Sequence, residues 1–386
     1  MMTATKLPQW GLLKSDRWLL SSLTWIPILL ALSIWWVFSQ GIAKDLPVGV
    51  VDLQQSALSR QLVREFDATS TLKVDHTFND VGAAKSAFIS NEIYAYIVIP
   101  KNFDRDIKIS NAPQVTVFYN SQYILVGKLI NSAALQAHGT FNAQIATLKQ
   151  MAKGNSNQLA AISKAVRIRT QITPLFNKNS NYAQFLVSAI VPALWQISIV
   201  VSTILFLTAN YRRYGLKKMV GKNPLSQLIS ISSFYLPFFI MQGASFLIWF
   251  YYILNWPMEG SLLPLFFAQL VTVIACMVMG ALFFFYALDP AKAMSFAGAF
   301  SAPSFAFMGV TFPVTDMNMV AQVWRSLLPI SHYIEAQISQ VSYGASAWQT
   351  VSDFMPSMLG YLLPLLLTLL LIKKQLRKLE NNNGSI

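Results

Sequence analysis

Residues 307–339 read FMGVTFPVTDMNMVAQVWRSLLPISHYIEAQIS. The stretch follows a long apolar span, breaks at Gly309 and Pro313, and restarts at Asp316. It breaks again at Pro329 and restarts at Ser331 before the last apolar span. Two short amphipathic pieces between hydrophobic spans predict helices that dip into a membrane face and turn back.

The composition agrees with a membrane setting. Charged residues make up 12% of the 386 and hydrophobic ones 54%, whereas ordinary globular chains carry roughly 25% charge. The formal charge of +13 would suit a soluble nucleic-acid binder, but such a protein would not carry several uncharged stretches of about 20 residues. Cys276 is the single cysteine and lies in an apolar span, so no intrachain disulfide or CxxC metal site exists. His76, His138 and His332 are far apart and no HExxH occurs, so no metal site is expected.

Working outward, spans are expected at 19–39, 183–209, 228–255, 262–287, 291–312 and 354–372, six in all. The first is too long for a signal-peptide core and reads as an uncleaved anchor. Its Trp35 and Trp36 suit an aromatic belt. Pro192, Pro237, Pro264, Pro303 and Pro364 fall inside spans and mark kinks or re-entrant ends. Residues 1–17 carry Lys6, Lys14 and Arg17 beside Trp10, Leu12 and Leu13, which leaves two readings: an interfacial amphipathic helix or a ragged basic terminus.

Charge sets the orientation. The connection 210–224, NYRRYGLKKMVGKNP, holds Arg212, Arg213, Lys217, Lys218 and Lys222 and no acid. The tail has Lys373, Lys374, Arg377 and Lys378 against Glu380, while 256–261 has only Glu259 and 313–353 has one Arg against three acids. Positive loops stay in the cytoplasm. The expected layout is a cytoplasmic amphipathic segment 1–17, a first transmembrane helix 18–40, and an extracytoplasmic domain 41–182. The remaining helices occupy 183–373, with a cytoplasmic loop 210–224 and a re-entrant region 313–345, and a cytoplasmic tail closes the chain at 374–386.

The insertion 44–182 reads first as a small mixed α/β unit. Strands are expected at 47–52, 72–78, 94–100 and 114–119. Leu58, Leu62 and Phe66 give one helix face, and Asp80 caps a second helix with Val81, Ala84 and Phe88 on its apolar side. From 121 to 170 the period changes. Val126, Ile130, Ala134, Ala137, Phe141, Ile145, Leu148 and Ala152 predict a long amphipathic helix. Gly154 to Asn157 breaks it, and Leu159, Ile162 and Val166 predict a second, completing a helical hairpin. No Asp or Glu occurs from Ile107 to Met258, so the basic residues of this part meet lipid phosphates, an acidic partner or plain solvent.

Chemistry-bearing motifs are few. Gly215 to Asn223 nearly spells a P-loop, but five residues separate its glycines where four are required, and Asn223 stands where Ser or Thr should hold magnesium. The chain is therefore expected not to hydrolyse ATP by itself. No Asp, Glu or His lies deep in a span, which argues against an ion-driven transporter and an intramembrane hydrolase. His332 and Glu335, three apart, share a helix face, either as a functional pair or as a satisfied interfacial one. Ala293, Ala297 and Ser301, with Gly298, Ala302 and Ala306, form small faces that either pack within the subunit or line a subunit contact or conduit.

The order Gly309-x-x-x-Pro313, Met317 and Met319, Leu328-Pro329, then Tyr333-Ile334-Glu335 before a last span resembles the C-terminal region of ABC-2 type transporter permeases. The insertion, VVD then helix, strand, helix and AYIVIP, resembles the domain between helices one and two in one branch of that family. The resemblance implies an α-helical integral membrane protein of a bacterial inner membrane, with six transmembrane helices, a re-entrant hairpin before the last, and an inserted extracytoplasmic α/β domain with a helical hairpin. It implies a permease of an ATP-driven exporter, moving an amphiphile outward with a separate ATPase that carries ATP and magnesium. A second permease, identical or not, membrane lipids and a periplasmic adaptor are the other partners it admits; nucleic acid is not one. It marks Arg212, Arg213, Gly215, Lys217 and Lys218 as the ATPase-coupling loop and Gly309, Pro313, Pro329, His332 and Glu335 as an exit region. It leaves Ala293, Ala297, Ser301 and Ala302 as helix packing or conduit. The family's acidic Glu-x-Glu-x-Gly-Thr pattern is replaced here by Arg212-Arg213-Tyr214-Gly215-Leu216, bases for acids. The alternative from another class is a non-transporting scaffold whose outer domain docks a partner; an integral-membrane enzyme comes third.

Overall fold

Pro27 decides how the first apolar span folds. The structure, a computed structural model, describes residues 7–109, 111–152, 176–177 and 181–383. After α1 (Gln9–Ser15), the expected span 19–39 is two helices, α2 (Arg17–Leu23) and α3 (Trp25–Val37), bent by 47°. Pro27 has no N–H to give the Leu23 carbonyl, and its ring crowds that carbonyl, so a straight helix fails there. Gln242 Nε2 donates to the freed carbonyl at 2.8 Å.

The chain divides into two compact units, Met1–Gly41 with Pro174–Ile386, and Ile42–Thr173. The second is α/β: β1 (Leu46–Asp52), α4 (Ala57–Asp67), β2 (Leu72–Phe78), α5 (Val81–Ile89), β3 (Ala95–Ile99), α6 (Phe103–Lys108), β4 (Thr116–Tyr119) and α7 (Ile124–Ala152). The sheet order is β2-β1-β3-β4, with β1 parallel to β2 and β3, and β4 antiparallel to β3. β1 is central and covered on both faces, which is why it reads as an unbroken apolar run. Val48 and Val50 pack with Leu62 and Phe66 of α4 and Ile130, Ala134 and Phe141 of α7; Val51 packs on the other side with Ala84 and Ala87 of α5. Ser56 caps α4 in a reciprocal capping box with Ser59, and Asp80 caps α5 by accepting from Ala83 N at 2.9 Å.

Two details of the apolar pattern differ from the sequence reading. Val81 is exposed, and Ala87 joins Ala84 on the buried face of α5. Near the end of α7, Thr147 turns inward and Leu148 is exposed, since a 3.6-residue period drifts off a strict four-residue step. The expected second helix of the hairpin, with Leu159, Ile162 and Val166, lies outside the described residues.

The other unit continues with α8 (Tyr182–Val220), α9 (Pro224–Ile248) running into a π-turn at Trp249–Ile253, α10 (Leu262–Ala287), α11 (Pro290–Ser301), α12 (Ser304–Phe307), α13 (Met319–Leu327), α14 (Pro329–Val341), α15 (Ala347–Leu359) and α16 (Leu362–Asn383). Among the described residues, Tyr182–Val220, Pro224–Ile253, Leu262–Ala287 and Ala347–Asn381 are long and apolar enough to cross a membrane, and the bent pair α2–α3 makes a fifth crossing if it is one span. The expected span 291–312 is not one helix. α11 has 12 residues, about 18 Å of rise against a hydrocarbon core of about 30 Å. Pro303 and then Gly309, at φ 86°, interrupt the chain beyond it.

Neutral amides tie the bundle together. Gln337 Nε2 donates to Ser188 O at 3.0 Å, the carbonyl that Pro192 leaves without a helical partner. Gln269 Nε2 donates to Gly243 O at 2.9 Å and to Tyr333 OH at 3.2 Å. Gln196 donates to Ser304 Oγ at 3.0 Å and accepts from Ile330 N at 2.9 Å. Each amide supplies a donor and an acceptor without a charge, so burial costs far less than for an ionised group.

Candidate functional site

Two places in the membrane unit gather the residues singled out from the sequence. The first is the end of α8. The stretch expected as loop 210–224 is mostly helix: α8 runs to Val220 with one break at Gly215, where φ is 68° and ψ 165°. An L side chain rarely adopts that conformation, although a Cβ there would meet no atom within 4 Å. Beyond the break, Leu216, Met219 and Val220 are buried and Lys217 and Lys218 exposed; Arg212 and Arg213 are exposed just before it. The Arg213 guanidinium lies 5.9 Å and the Lys218 ammonium 5.5 Å from the Tyr214 ring. The near-P-loop spacing therefore sits on an amphipathic helical turn, not on a loop that comes after a strand.

The part of α8 just ahead of these basic residues is bolted to the N-terminus of the same unit. Gln9 Nε2 donates to Asn210 Oδ1 at 2.9 Å, and Asn210 Nδ2 donates to Gln9 Oε1 at 3.0 Å. Tyr235 OH donates to the same Gln9 oxygen at 3.0 Å. With Leu12 and Leu13 buried and Trp10 set edge-on against Phe234 at 5.2 Å, α1 packs into the bundle beside α8 and α9.

The second place is the region after α12. Asn318, not Asp316, caps the restart, accepting from Ala321 N at 2.9 Å. Leu328 is the break, held extended as a residue before proline must be, and Pro329 begins α14 instead of ending anything. α13 is inside out. Met319 and Val320 are 80% and 77% exposed while Arg325 is 8% exposed, the arrangement expected where the outer medium is lipid and cations face the protein. Arg325 forms an ion pair and hydrogen bond with Glu335 of α14. His332 Nε2 donates to Ser326 O at 3.0 Å, and its Nδ1 stands 3.7 Å from Glu335 Oε2. Burial alone would raise the Glu335 carboxyl, but His332 and Arg325 outweigh it and hold it below the usual carboxylate range, so it is ionised. A cavity of about 440 Å³ lies against these groups, bounded by Gly309, Val314, Thr350, Asp353 and Phe354 as well.

The structure thus brings Gly309, His332 and Glu335 to one cavity, while Pro313 and Pro329 shape the chain around it. The small residues part company. Ala293, Ala297 and Ser301 are buried, whereas Gly298 and Ala302 are exposed, with open space beside Gly298. The sequence reading missed Arg325 as the partner of Glu335. The available signal was a single charged residue, an arginine, on the otherwise uncharged stretch Met319–Leu327. It also missed the glutamines, which carry no spacing motif. Among the described residues no three His, Cys, Asp or Glu groups stand close enough together to hold a metal ion.

The family model described as ABC-2 family transporter protein matches residues 17–372. The chain belongs to this family. No curated protein and no solved structure matches it. As an ABC-2 transporter chain it is a multi-pass membrane permease, and membership implies an ABC ATPase partner in general. In this ABC-2 chain the match takes in both α8 with its basic turn and the cavity behind α13.

Proposed function

We propose that this ABC-2 chain is the permease subunit of an exporter in a bacterial inner membrane, moving an amphiphile such as a lipid or drug outward. ATP and magnesium belong to a separate ATPase subunit, and the chain itself is not an enzyme. Two permeases, identical or not, and two ATPases form the working unit, with a periplasmic adaptor as a further partner. Counting α11 and α12 as one broken crossing gives six, so both termini lie on the side of the basic turn. That side is the cytoplasm by the positive-inside rule, and residues 41–182 lie outside.

One observation carries this reading: α8 just ahead of Arg212 and Arg213 is locked at Asn210 through Gln9 and Tyr235 to α1 and α9, and the turn beyond Gly215 is seated by buried Leu216, Met219 and Val220. A push on Arg212, Arg213, Lys217 or Lys218 is then passed to three helices through buried hydrogen bonds and packed apolar side chains instead of being lost in a slack loop. The basic surface calls for an acidic groove on the ATPase, since like charges at a contact cost several kcal/mol.

The test is charge reversal. Arg212→Glu with Arg213→Glu should weaken ATPase association and abolish substrate-stimulated hydrolysis, with topology kept by Lys217, Lys218 and Lys222. A double variant that retains its ATPase and full activity would show that the basic turn only anchors topology. Gentle purification of the unaltered chain that never recovers an ATPase would favour the scaffold reading.

A further inference from the structure

We infer that the cleft between the start of α2 and the basic part of α8 is a binding site for the phosphate of an anionic phospholipid. The inference needs the membrane placement of the chain and not the export reading, although it shares Arg212 and Arg213 with the coupling surface proposed above. Arg17 opens the apolar run of the first span, and Arg212 and Arg213 follow the last apolar turn of α8, so the two helices bring all three to one membrane boundary. They line an open cleft of about 590 Å³ together with Leu12, Asp16 and Trp18. Residues 12–18 are tied to α8 from both sides. Gln9 exchanges hydrogen bonds with Asn210, and Ser202 Oγ donates to Ser22 Oγ at 3.0 Å. The backbone of the cleft is therefore fixed before a ligand arrives, which lowers the cost of binding one.

The cations of this cleft have no counter-charge. The described residues include every Asp and Glu of the chain, and among them none forms an ion pair with Arg17, Arg212 or Arg213. Asp16 is the one acid in the lining, and its carboxylate caps α2 by accepting from Leu19 N at 3.0 Å. Three guanidiniums against one carboxylate leave an excess of positive charge. Each guanidinium presents a planar fork of N–H donors that matches two phosphate oxygens. Trp18 decides between a lipid and a free phosphate. It is 76% exposed, and Leu20, two residues on, is 40% exposed, where α2 enters the apolar layer. A soluble phosphate would leave that indole bare. A phospholipid sets its acyl chains beside it, with the indole at headgroup level as in an aromatic belt. A zwitterionic lipid brings no net charge to meet the excess, so the site favours an anionic one.

The probe is phosphatidylglycerol brominated on its acyl chains, which quenches an indole on contact. It is a minor component of phosphatidylcholine nanodiscs that hold the full chain without ATPase, and brominated phosphatidylcholine at the same fraction is the reference. The chain has 10 tryptophans, so the Trp18 signal is read as the difference from Trp18→Phe. Stronger quenching of Trp18 by the anionic lipid is expected. This enrichment should fall about fivefold in Arg17→Gln and be kept in Lys373→Gln, a basic residue outside the cleft lining. Protection of buried Cys276 from a thiol reagent checks that each variant is folded. Equal quenching by the two lipids, or unaltered enrichment in folded Arg17→Gln, overturns the inference. Loss of enrichment on adding inorganic phosphate at constant ionic strength overturns it too, because the occupant is then a soluble phosphate. Arg17 lies outside the coupling surface, so the two readings fail separately. A chain that enriches the lipid at Trp18 yet never recovers an ATPase leaves the site standing and refutes export. One that couples to an ATPase without enriching the lipid does the reverse.

Discussion

Replacing Gly309 by alanine adds one carbon where the chain turns after α12, and the cost can be worked from two observations. The backbone there has φ 86°, and placing an L residue in the left-handed region costs about 1–2 kcal/mol. The new Cβ would also lie 2.7 Å from Val314 Cγ2 and 3.4 Å from Arg325 Nε. Carbon pairs prefer about 3.5–4.0 Å, so Val314 must move, and forced repacking costs about 1–3 kcal/mol. The sum is about 2–5 kcal/mol, or about 4–20 °C in unfolding temperature at about 2–4 °C per kcal/mol. The chain supplies its own reporter, because Cys276 is its single cysteine and is fully buried. A thiol-reactive fluorophore added during heating of the detergent-solubilised protein therefore reads opening of the bundle. Gly309→Ala with Val314→Ala should recover the steric share and leave the conformational one, a non-additivity of about 1–3 kcal/mol. Gly309→Leu should insert but export poorly. A Gly309→Ala protein that opens at the wild-type temperature would refute both the strain and the clash.

Three further outcomes are expected. Gln337→Leu strands the Ser188 carbonyl and should cost about 1–2 kcal/mol by the same thermal assay, while adding Pro192→Ala restores an N–H to that carbonyl and should recover most of the loss. An impermeant thiol reagent on intact cells should label Ser121→Cys and spare Asn223→Cys; the opposite pattern would invert the proposed topology. Burial holds the His138 imidazole below its ordinary value of 6.5, so the unfolded chain binds a proton that the folded unit resists. Stability of the α/β unit should then fall as pH drops below that value, read as lost hydrogen-exchange protection along α7, and His138→Phe should flatten the dependence.

How much of this was legible depended on what kind of signal each feature leaves. Period-2 and period-3.6 patterns located all four strands and the helices Ala57–Asp67, Val81–Ile89 and Ile124–Ala152 within a few residues, and the span 262–287 to the residue. Prolines announced disturbance but not its outcome. α8 runs through Pro192, which was read as a kink or re-entrant end, whereas Pro27, not among the prolines read that way, lies at the 47° bend. The charge count isolated the basic residues of 210–224, yet it reads a loop and a surface helix alike, so it could not foresee that α8 continues past Gly215. His332 and Glu335 were found because they sit three apart; Arg325 lies ten residues from Glu335 across a turn, where no helical spacing applies.

By itself the sequence determined that this chain enters a membrane, where its polar insertion lies, and which connections are basic. These come from apolar length, alternation and charge, which act on each segment separately. Only the tertiary structure decided which carbonyls the prolines free and which glutamines answer them, that Gln9 meets Asn210 and Tyr235, and that Arg325 faces inward from an apolar helix. A glutamine or arginine has much the same local preference wherever it stands in a helix. What distinguishes a surface residue from a buried clamp is the partner across the bundle, about 200 residues away along the chain in the case of Gln9 and Asn210 and fixed only when the helices pack.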